Sequence, residues 1–136
     1  MTAAGIPPGV MVAPVIPRIT DHEIEHILET VAARGARSAS YVLLRLPHEV
    51  EPLFRDWLQL HYPDRAAAVV HAMESCYGGK TYRSTFHTRM KGQGIIAEMI
   101  AQRFHLARKR LLLDRKTGAL DTGAFRPPAG PQLGLF

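Results

Sequence analysis

The sequence is poor in cysteine and has no long apolar run. Cys76 is the only cysteine among 136 residues, which excludes a disulfide framework and any zinc or iron–sulfur site that needs several thiolates from this chain. The apolar stretch at residues 1–17 contains four prolines and no leading basic cluster, so it fits neither a secretion signal nor a membrane span. These absences predict a cytoplasmic protein without a membrane partner.

Acidic residues are scarce in the second part of the chain. Residues 80–136 carry eleven Lys or Arg against three Asp or Glu, a net charge of +8, whereas residues 1–79 have a net charge of −3. A basic half of this kind suits a polyanion such as DNA, or an acidic surface of a protein partner. The alternative interpretation is a solvated basic face that binds nothing.

The N-terminal part predicts alternating strands and helices. A β-rich run at Val10–Ala13 is followed by a helix that starts at a capping box, Thr20 to Glu23, and ends at Gly35. A second β-rich run at Tyr41–Leu46 precedes another amphipathic helix. This order is the βαβ pattern of a parallel sheet. The positions expected to face inward are Ile24, Ile27, Leu28 and Val31 on the first helix, and Val50, Leu53, Phe54, Trp57 and Leu58 on the second.

Two further helices are expected after Tyr62, separated by a long loop. The first follows Asp64 and is closed by two glycines at 78–79, and the last runs from about Ile95 to Leu113. We therefore divide the chain into a strand–helix region at 1–62, a basic helical extension at 63–113 and a flexible tail at 114–136.

The loop between these helices is the strongest candidate for binding a nucleic acid. Its cations can contact phosphates and its interleaved rings can stack on bases, while no acidic residue lies between Glu74 and Glu98. The alternative is that the rings pack the loop down and the cations stay in water. The cations are Lys80, Arg83, Arg89 and Lys91, and the rings are Tyr82, Phe86 and His87.

The last five residues have the form of a docking peptide. A polar anchor, Gln132, precedes the apolar side chains of Leu133, Leu135 and Phe136 on a tether rich in proline and glycine. This pentapeptide resembles the motif that inserts into the pocket of the bacterial sliding clamp. The alternative is that these side chains fold back on the protein's own core.

Two other motifs predict no site. His22 to His26 matches the H-E-x-x-H string of zinc hydrolases, but both histidines point away from the apolar stripe of their helix and no third ligand stands out. Cys76 at a helix end has no neighbouring His–Asp pair, so it is expected to be a small buried side chain. We therefore assign no metal ligand and no catalytic residue.

Several segments together resemble the radical S-adenosylmethionine proteins, in the branch related to spore photoproduct lyase and described as DNA-repair photolyase-like. Ala4–Asp21 is similar to the fifth strand and following loop of that family, and Tyr41–Pro47 to its sixth and last strand. Three further segments are similar to the C-terminal region of that branch: Leu53–Leu58, His61–Arg65 and Gly79–Gly92. The resemblance covers most of the chain, from about residue 4 to residue 112.

The resemblance implies a six-stranded partial (β/α) barrel that binds an iron–sulfur cluster and S-adenosylmethionine and cleaves the latter to a radical. Barrel enzymes carry their chemistry at the carboxyl ends of the strands. By analogy, the positions on the cofactor side are Pro14, Val15 and Ile16 after one strand and Leu44, Arg45 and Leu46 after the next.

The chain departs from this family at the cluster motif. The C-x-x-x-C-x-x-C motif is absent, as are candidates for the first four strands, so we expect the last two strand–helix units of the barrel followed by a helical extension. Taken alone, this α/β chain is expected to be inactive and to bind no cofactor. The radical chemistry would belong to the longer protein, with nucleic acid as its candidate substrate. The alternative is a small non-catalytic module that binds nucleic acid or the clamp.

Overall fold

In the residues that the computed structural model describes, the fold consists of two parallel strands and four helices. The structure describes residue 6 and residues 8–81, 84, 89–115 and 122–126. Short 3-10 turns lie at Asp21–Glu23 and Thr122–Ala124. The main elements are β1 (Gly9–Val15), α1 (Ile24–Ala33), β2 (Ser38–Leu43), α2 (Val50–His61), α3 (Ala66–Cys76) and α4 (Ile95–Arg110). The expected α/β class is confirmed.

The strands β1 and β2 pair in parallel, with α1 as the crossover between them. Gly9 lies opposite Ser38 and Val12 opposite Tyr41, and the register shifts between Val12 and Val15. Because parallel strands require a crossover connection, this pairing confirms the βαβ interpretation. Strand β2 begins three residues earlier than the sequence indicates and ends at Leu43.

The outer edge of β2 is covered by C-terminal segments of the chain. The amide of Ala39 donates to the carbonyl of Leu113 at 2.9 Å, and the amide of Leu43 donates to the carbonyl of Met90 at 2.9 Å. An antiparallel bridge also joins Ser38 to residue 114. The end of α4 therefore lies at the amino end of β2, and the loop before α4 lies at its carboxyl end.

One face of the sheet carries the main core. Val12, Tyr41 and Leu43 turn toward α1, α3 and α4, and the Tyr41 ring packs on Phe104 with ring centroids 4.7 Å apart. Met73 of α3 belongs to the same buried cluster. The strand–helix region and the helical extension thus share one core.

Helix α2 presents its apolar residues differently from the expected inward face. Leu58 is fully buried against Ile19 and the start of α3, whereas Val50, Leu53 and Trp57 are 43%, 68% and 38% exposed. The predicted inward position is confirmed for Leu58 and for the half-buried Phe54. It is wrong for Val50, Leu53 and Trp57, because the helix packs through the side that carries Phe54 and Leu58. Its exposed apolar side chains form what we call the α2 stripe: Val50, Leu53, Trp57 and Leu60.

The predicted capping box at the start of α1 is not formed. The Thr20 hydroxyl accepts a hydrogen bond from the amide of Ile16 at 2.8 Å, so it faces back into the loop after β1 and caps no helical amide. A 3-10 turn precedes the helix, which begins at Ile24. A nearby loop amide has replaced the helix as the partner of this hydroxyl.

Candidate polyanion site at the carboxyl end of the strand pair

The loops that leave β1 and β2 lie side by side. The amide of Leu44 donates to the carbonyl of Val15 at 2.9 Å, which joins the first residue after β2 to the last residue of β1. The two segments that the resemblance places on the cofactor side, residues 14–16 and 44–46, are therefore neighbours. This is the edge at which parallel α/β folds gather their functional groups.

Many backbone groups at this edge already have partners within the chain. The Ile16 amide donates to Thr20, and the Ile16 carbonyl accepts from the amides of Ile19 at 3.0 Å and Thr20 at 2.9 Å. The Leu44 carbonyl accepts from the hydroxyl of Tyr77 at 3.0 Å. A ligand at this edge would therefore contact side chains more than these backbone groups.

Only some of the side chains at residues 14–16 and 44–46 are exposed enough for such a ligand to reach. Val15 and Leu46 are buried, with 1% and 2% of their surface exposed, and they belong to the main core. Ile16 and Leu44 are half-buried, and Pro14 is exposed. Arg45, half-buried, is the cation of this group, so it is the side chain best suited to bind an anion.

The loop between α3 and α4, which we call the basic loop, returns to the same edge. Besides the bond between Leu43 and Met90, the Tyr77 hydroxyl lies 3.4 Å from the carbonyl of Arg89, and the amide of Gln93 donates to the carbonyl of Cys76 at 2.8 Å. The segment 89–91 is thereby fixed beside the end of β2. Arg89 is half-buried and Lys91 is exposed.

Tyr77 is the buried link between β2 and the basic loop. Its ring is fully buried at the end of α3, while its hydroxyl reaches the carbonyls of Leu44 and Arg89. Burial raises the pKa of Tyr77 to about 12, and the nearby charge of Arg45 acts in the opposite direction. Tyr77 therefore stays a neutral hydrogen-bond donor that positions two cationic segments.

The start of the basic loop borders a cavity of about 300 Å³. Exposed Lys80 lines it together with His48, which follows β2. The hydroxyl of Thr81 donates to Glu51, which also lines the cavity, so the first residues of the loop are held against the first turn of α2. Lys80 is thus placed at the carboxyl end of β2 as well.

Arg55 compensates the acidic side chains of this cavity. Its guanidinium donates to Glu51 at 2.8 and 3.0 Å and lies 3.2 Å from Glu74. The hydrogen bonds from Thr81 and Arg55 lower the pKa of Glu51. The Glu51 carboxylate therefore stays ionised, and Arg55 offsets part of the negative charge beside Lys80.

The structure therefore brings two of the predicted groups together. The positions expected on the cofactor side and the cations Lys80, Arg89 and Lys91 meet at the carboxyl end of the strand pair. We call Arg45, Lys80, Arg89 and Lys91 the carboxyl-end site. Arg83 and the rings at 82, 86 and 87 lie outside the described residues, as do Gln132, Leu133, Leu135 and Phe136 of the proposed docking peptide.

Sequence reasoning missed two features near this site. Arg18 is exposed in the loop after β1 and has a positive φ of 67°, which is uncommon for a residue with a side chain. The ion pairs of Arg55 were also missed, although the four-residue spacing of Glu51 and Arg55 on one helix could have indicated the first of them.

The remaining candidates are two exposed histidines and one buried cysteine. His22 and His26 are exposed, and burial raises the pKa of the fully buried Cys76 thiol. Within the described ranges, no three His, Cys, Asp or Glu side chains lie close enough to share a metal ion. The iron–sulfur cluster implied by the resemblance does not fit this chain, because one buried thiol cannot replace its cysteine motif.

Comparisons with known proteins leave the family open. No family model, curated protein or solved structure gives a significant match to this chain. In the part of the chain that the structure describes, no helix has both the length and the apolar character needed to cross a bilayer.

Proposed function

We propose that this chain binds single-stranded nucleic acid at the carboxyl-end site. The observation that carries the proposal is the convergence of loops from three parts of the sequence, residues 44–46, 79–81 and 89–91, at one end of the strands. Each loop contributes a cation, and phosphates attract such clusters regardless of base sequence. The Tyr77 hydroxyl donates to the Leu44 carbonyl and lies 3.4 Å from the Arg89 carbonyl. It thereby keeps two of these loops close together, which lowers the conformational entropy lost on binding.

Charge reversal of the two exposed lysines tests this proposal. We expect Lys80→Glu with Lys91→Glu to weaken binding to a single-stranded oligonucleotide about tenfold or more at low salt. The slope of log K against log salt should fall by about 1.4, since single strands release about 0.7 counterions for each phosphate contact. Fluorescence anisotropy over a salt series gives both quantities.

Lys109→Glu is the matched control for this experiment. Lys109 is exposed in the last turn of α4, which lies at the amino end of β2, away from the carboxyl-end site. The substitution changes the net charge in the same direction and should leave most of the binding intact. Lys109→Glu changes the net charge by half as much as the double variant does. If it gave half of the double variant's loss in binding free energy or more, net charge alone would explain both results, which contradicts a defined site.

We further propose that the fold is the closing part of a partial (β/α) barrel of the radical S-adenosylmethionine type. The two parallel strands with a helix between them support this proposal, because parallel sheets are normally covered on both faces and extended by further strands. Here the second face is open at Met11, Ala13 and Ser40. The radical chemistry would belong to a longer protein or to a partner that supplies the cysteines.

Sequence upstream of this reading frame tests the barrel proposal. A frame that encodes C-x-x-x-C-x-x-C and further strands would support it, whereas an intact, unrelated gene would favour an independent binding module. In a second test, iron and sulfide are added anaerobically to this chain, and we expect no stoichiometric cluster. A cluster bound by the chain alone would contradict the proposal.

We propose the bacterial sliding clamp as a protein partner of the pentapeptide at residues 132–136. The support is the order of its residues, with Gln132 ahead of the apolar ones. Deleting the pentapeptide should abolish capture of a purified clamp, and replacing Gln132 with Ala should weaken it. Unchanged capture by the deletion variant would refute this partner.

A further inference from the structure

Strand β1 has an outer edge that is open in the part of the chain that the structure describes. The sheet contains only β1 and β2, and β1 uses one edge to pair with β2. The outer edge of β2 is already filled by the segments around Met90 and Leu113. Among the described residues, each chain therefore offers a single free strand edge.

The register identifies backbone groups on this open edge. Because the amides of Ala39 and Leu43 donate away from β1, the alternate residues Ser40 and Val42 direct their backbone groups toward β1. In a parallel ladder of this register, Val10 and Val12 direct their amides and carbonyls toward β2. Those of Gly9 and Met11 consequently point outward, ready to pair with another strand.

The usual edge protection is missing from the first part of β1, since Pro14 and the register shift between Val12 and Val15 lie near its end. Natural edge strands are commonly guarded by charged side chains or covered by a loop, yet Gly9–Val15 contains no charged residue. The Met11 side chain is 59% exposed. Pro14 has no amide hydrogen and lies near the end of the strand, so pairing would centre on residues 9–13.

We infer that β1 pairs with β1 of a second copy of this chain, antiparallel across a twofold axis. The outward amides and carbonyls are complementary to their own copy when one strand is reversed, and no like charges meet across the pair. Since each chain offers one free edge among its described residues, pairing closes at two copies and does not propagate into a fibre. The product is a four-stranded sheet in the order β2, β1, β1′, β2′, which is a more stable unit than two strands.

The pairing has a consequence for the carboxyl-end sites. Antiparallel strands place the two carboxyl ends at opposite ends of the joined sheet. The dimer therefore presents two separated carboxyl-end sites, although its formation requires no nucleic acid. In a longer barrel protein the preceding strand would occupy this same edge, and the chain would then remain monomeric.

The mass of the purified chain over a concentration series tests this inference in the absence of nucleic acid. Sedimentation equilibrium should show twice the chain mass of 15.1 kDa at high concentration and dissociation on dilution. Met11→Pro removes an outward amide that β2 does not use and should shift the dimer dissociation constant upward at least tenfold. Met11→Lys keeps the amide but adds a charge near the twofold axis, and it should weaken pairing as well.

Leu53→Lys is the matched control because it adds the same charge to the α2 stripe, where the side chain is 68% exposed. It should leave the dimer intact. Circular dichroism and a urea titration identify any Met11 variant that fails to fold. If Met11→Pro does not fold, the dissociation constant of Met11→Lys tests the inference. A monomeric wild-type chain, or a dimer lost with Leu53→Lys and kept with Met11→Lys, would overturn the inference. Neither outcome bears on the binding test with Lys80 and Lys91.

Discussion

The guanidinium of Arg103 donates two hydrogen bonds to the carboxylate of Glu25, at 2.9 and 2.7 Å, and so joins α4 to α1. The same guanidinium donates to the backbone carbonyl of Asp21 at 2.9 Å. The two helices cover the same face of the sheet, and this bidentate contact fixes their relative position. Such charge-assisted pairs are stronger than an exposed single contact.

Replacing Arg103 with Met should therefore lower the free energy of unfolding by about 1–2 kcal/mol, because the helix pair loses bonds to both Glu25 and Asp21. Arg110→Met is the control, since its ion pair with Glu29 is more exposed and should contribute about 0.5 kcal/mol or less. Urea denaturation measures both values. Equal losses would contradict a special role for Arg103.

The same ion pair predicts how stability depends on pH. The hydrogen bonds from Arg103 lower the pKa of Glu25 from its ordinary value of 4.5. A carboxyl group with a lowered pKa stabilises the fold above its unfolded pKa, and this contribution is lost as the pH falls through the folded pKa. We expect the wild-type chain to lose more stability between about pH 5 and pH 3 than Arg103→Met does. Parallel curves for the two proteins would refute the coupling.

The elements with one clear apolar stripe could be predicted from sequence. Helix α4 buries Ile100, Phe104 and Ala107, which lie on one stripe at the helical period. Helix α1 buries Ile24 and Leu28, as expected. A single stripe at the helical period leaves one way to pack such a helix on a sheet. The sequence also predicts that the loops after β1 and β2 lie close together, because the two strands run parallel.

Features that depend on a distant partner could not be predicted in this way. Helix α2 has apolar residues on more than one side, and only the presence of Ile19 and α3 decides that Leu58 is the buried one. The return of the basic loop depends on the bond between the Leu43 amide and the Met90 carbonyl, and a backbone bond between distant segments leaves no pattern in the sequence. Thr20 had two possible partners, and local spacing favoured the wrong one.

Gly92 provides a prediction about the loop that carries the site. An added Cβ would lie 2.9 Å from the Leu43 side chain and 3.0 Å from the carbonyl of Cys76, and φ is +70°. Gly92→Ala should cost about 2–4 kcal/mol of stability, from overlap and from the left-handed backbone. Gly79→Ala is the control, because its φ is +82° but nothing lies within 4 Å.

The control should cost only about 1 kcal/mol, which is the backbone contribution alone. Thermal or urea unfolding of both variants separates the two contributions. If Gly79→Ala were as destabilising as Gly92→Ala, the close approach of Gly92 to β2 would not be what fixes this loop.

Two buried tyrosines allow a paired test of hydrogen bonding near the site. The Tyr77 hydroxyl bonds to the carbonyl of Leu44, whereas the Tyr41 hydroxyl is buried and has no hydrogen-bond partner among the described residues. Tyr77→Phe should therefore lower the free energy of unfolding by about 1–2 kcal/mol, since the Leu44 carbonyl loses its donor. Tyr41→Phe should leave it unchanged or raise it by up to about 1 kcal/mol.

The two substitutions remove the same atom from rings of similar burial, so the difference between them reports the bonds and not the packing. Tyr77→Phe should also weaken oligonucleotide binding severalfold, because the loop at Arg89 loses a contact that positions it beside Leu44. Anisotropy titrations under conditions in which both variants are folded measure this effect. A loss of binding in Tyr41→Phe of the same size would refute the positioning role of Tyr77, because Tyr41 contacts the Phe104 ring and neither carbonyl.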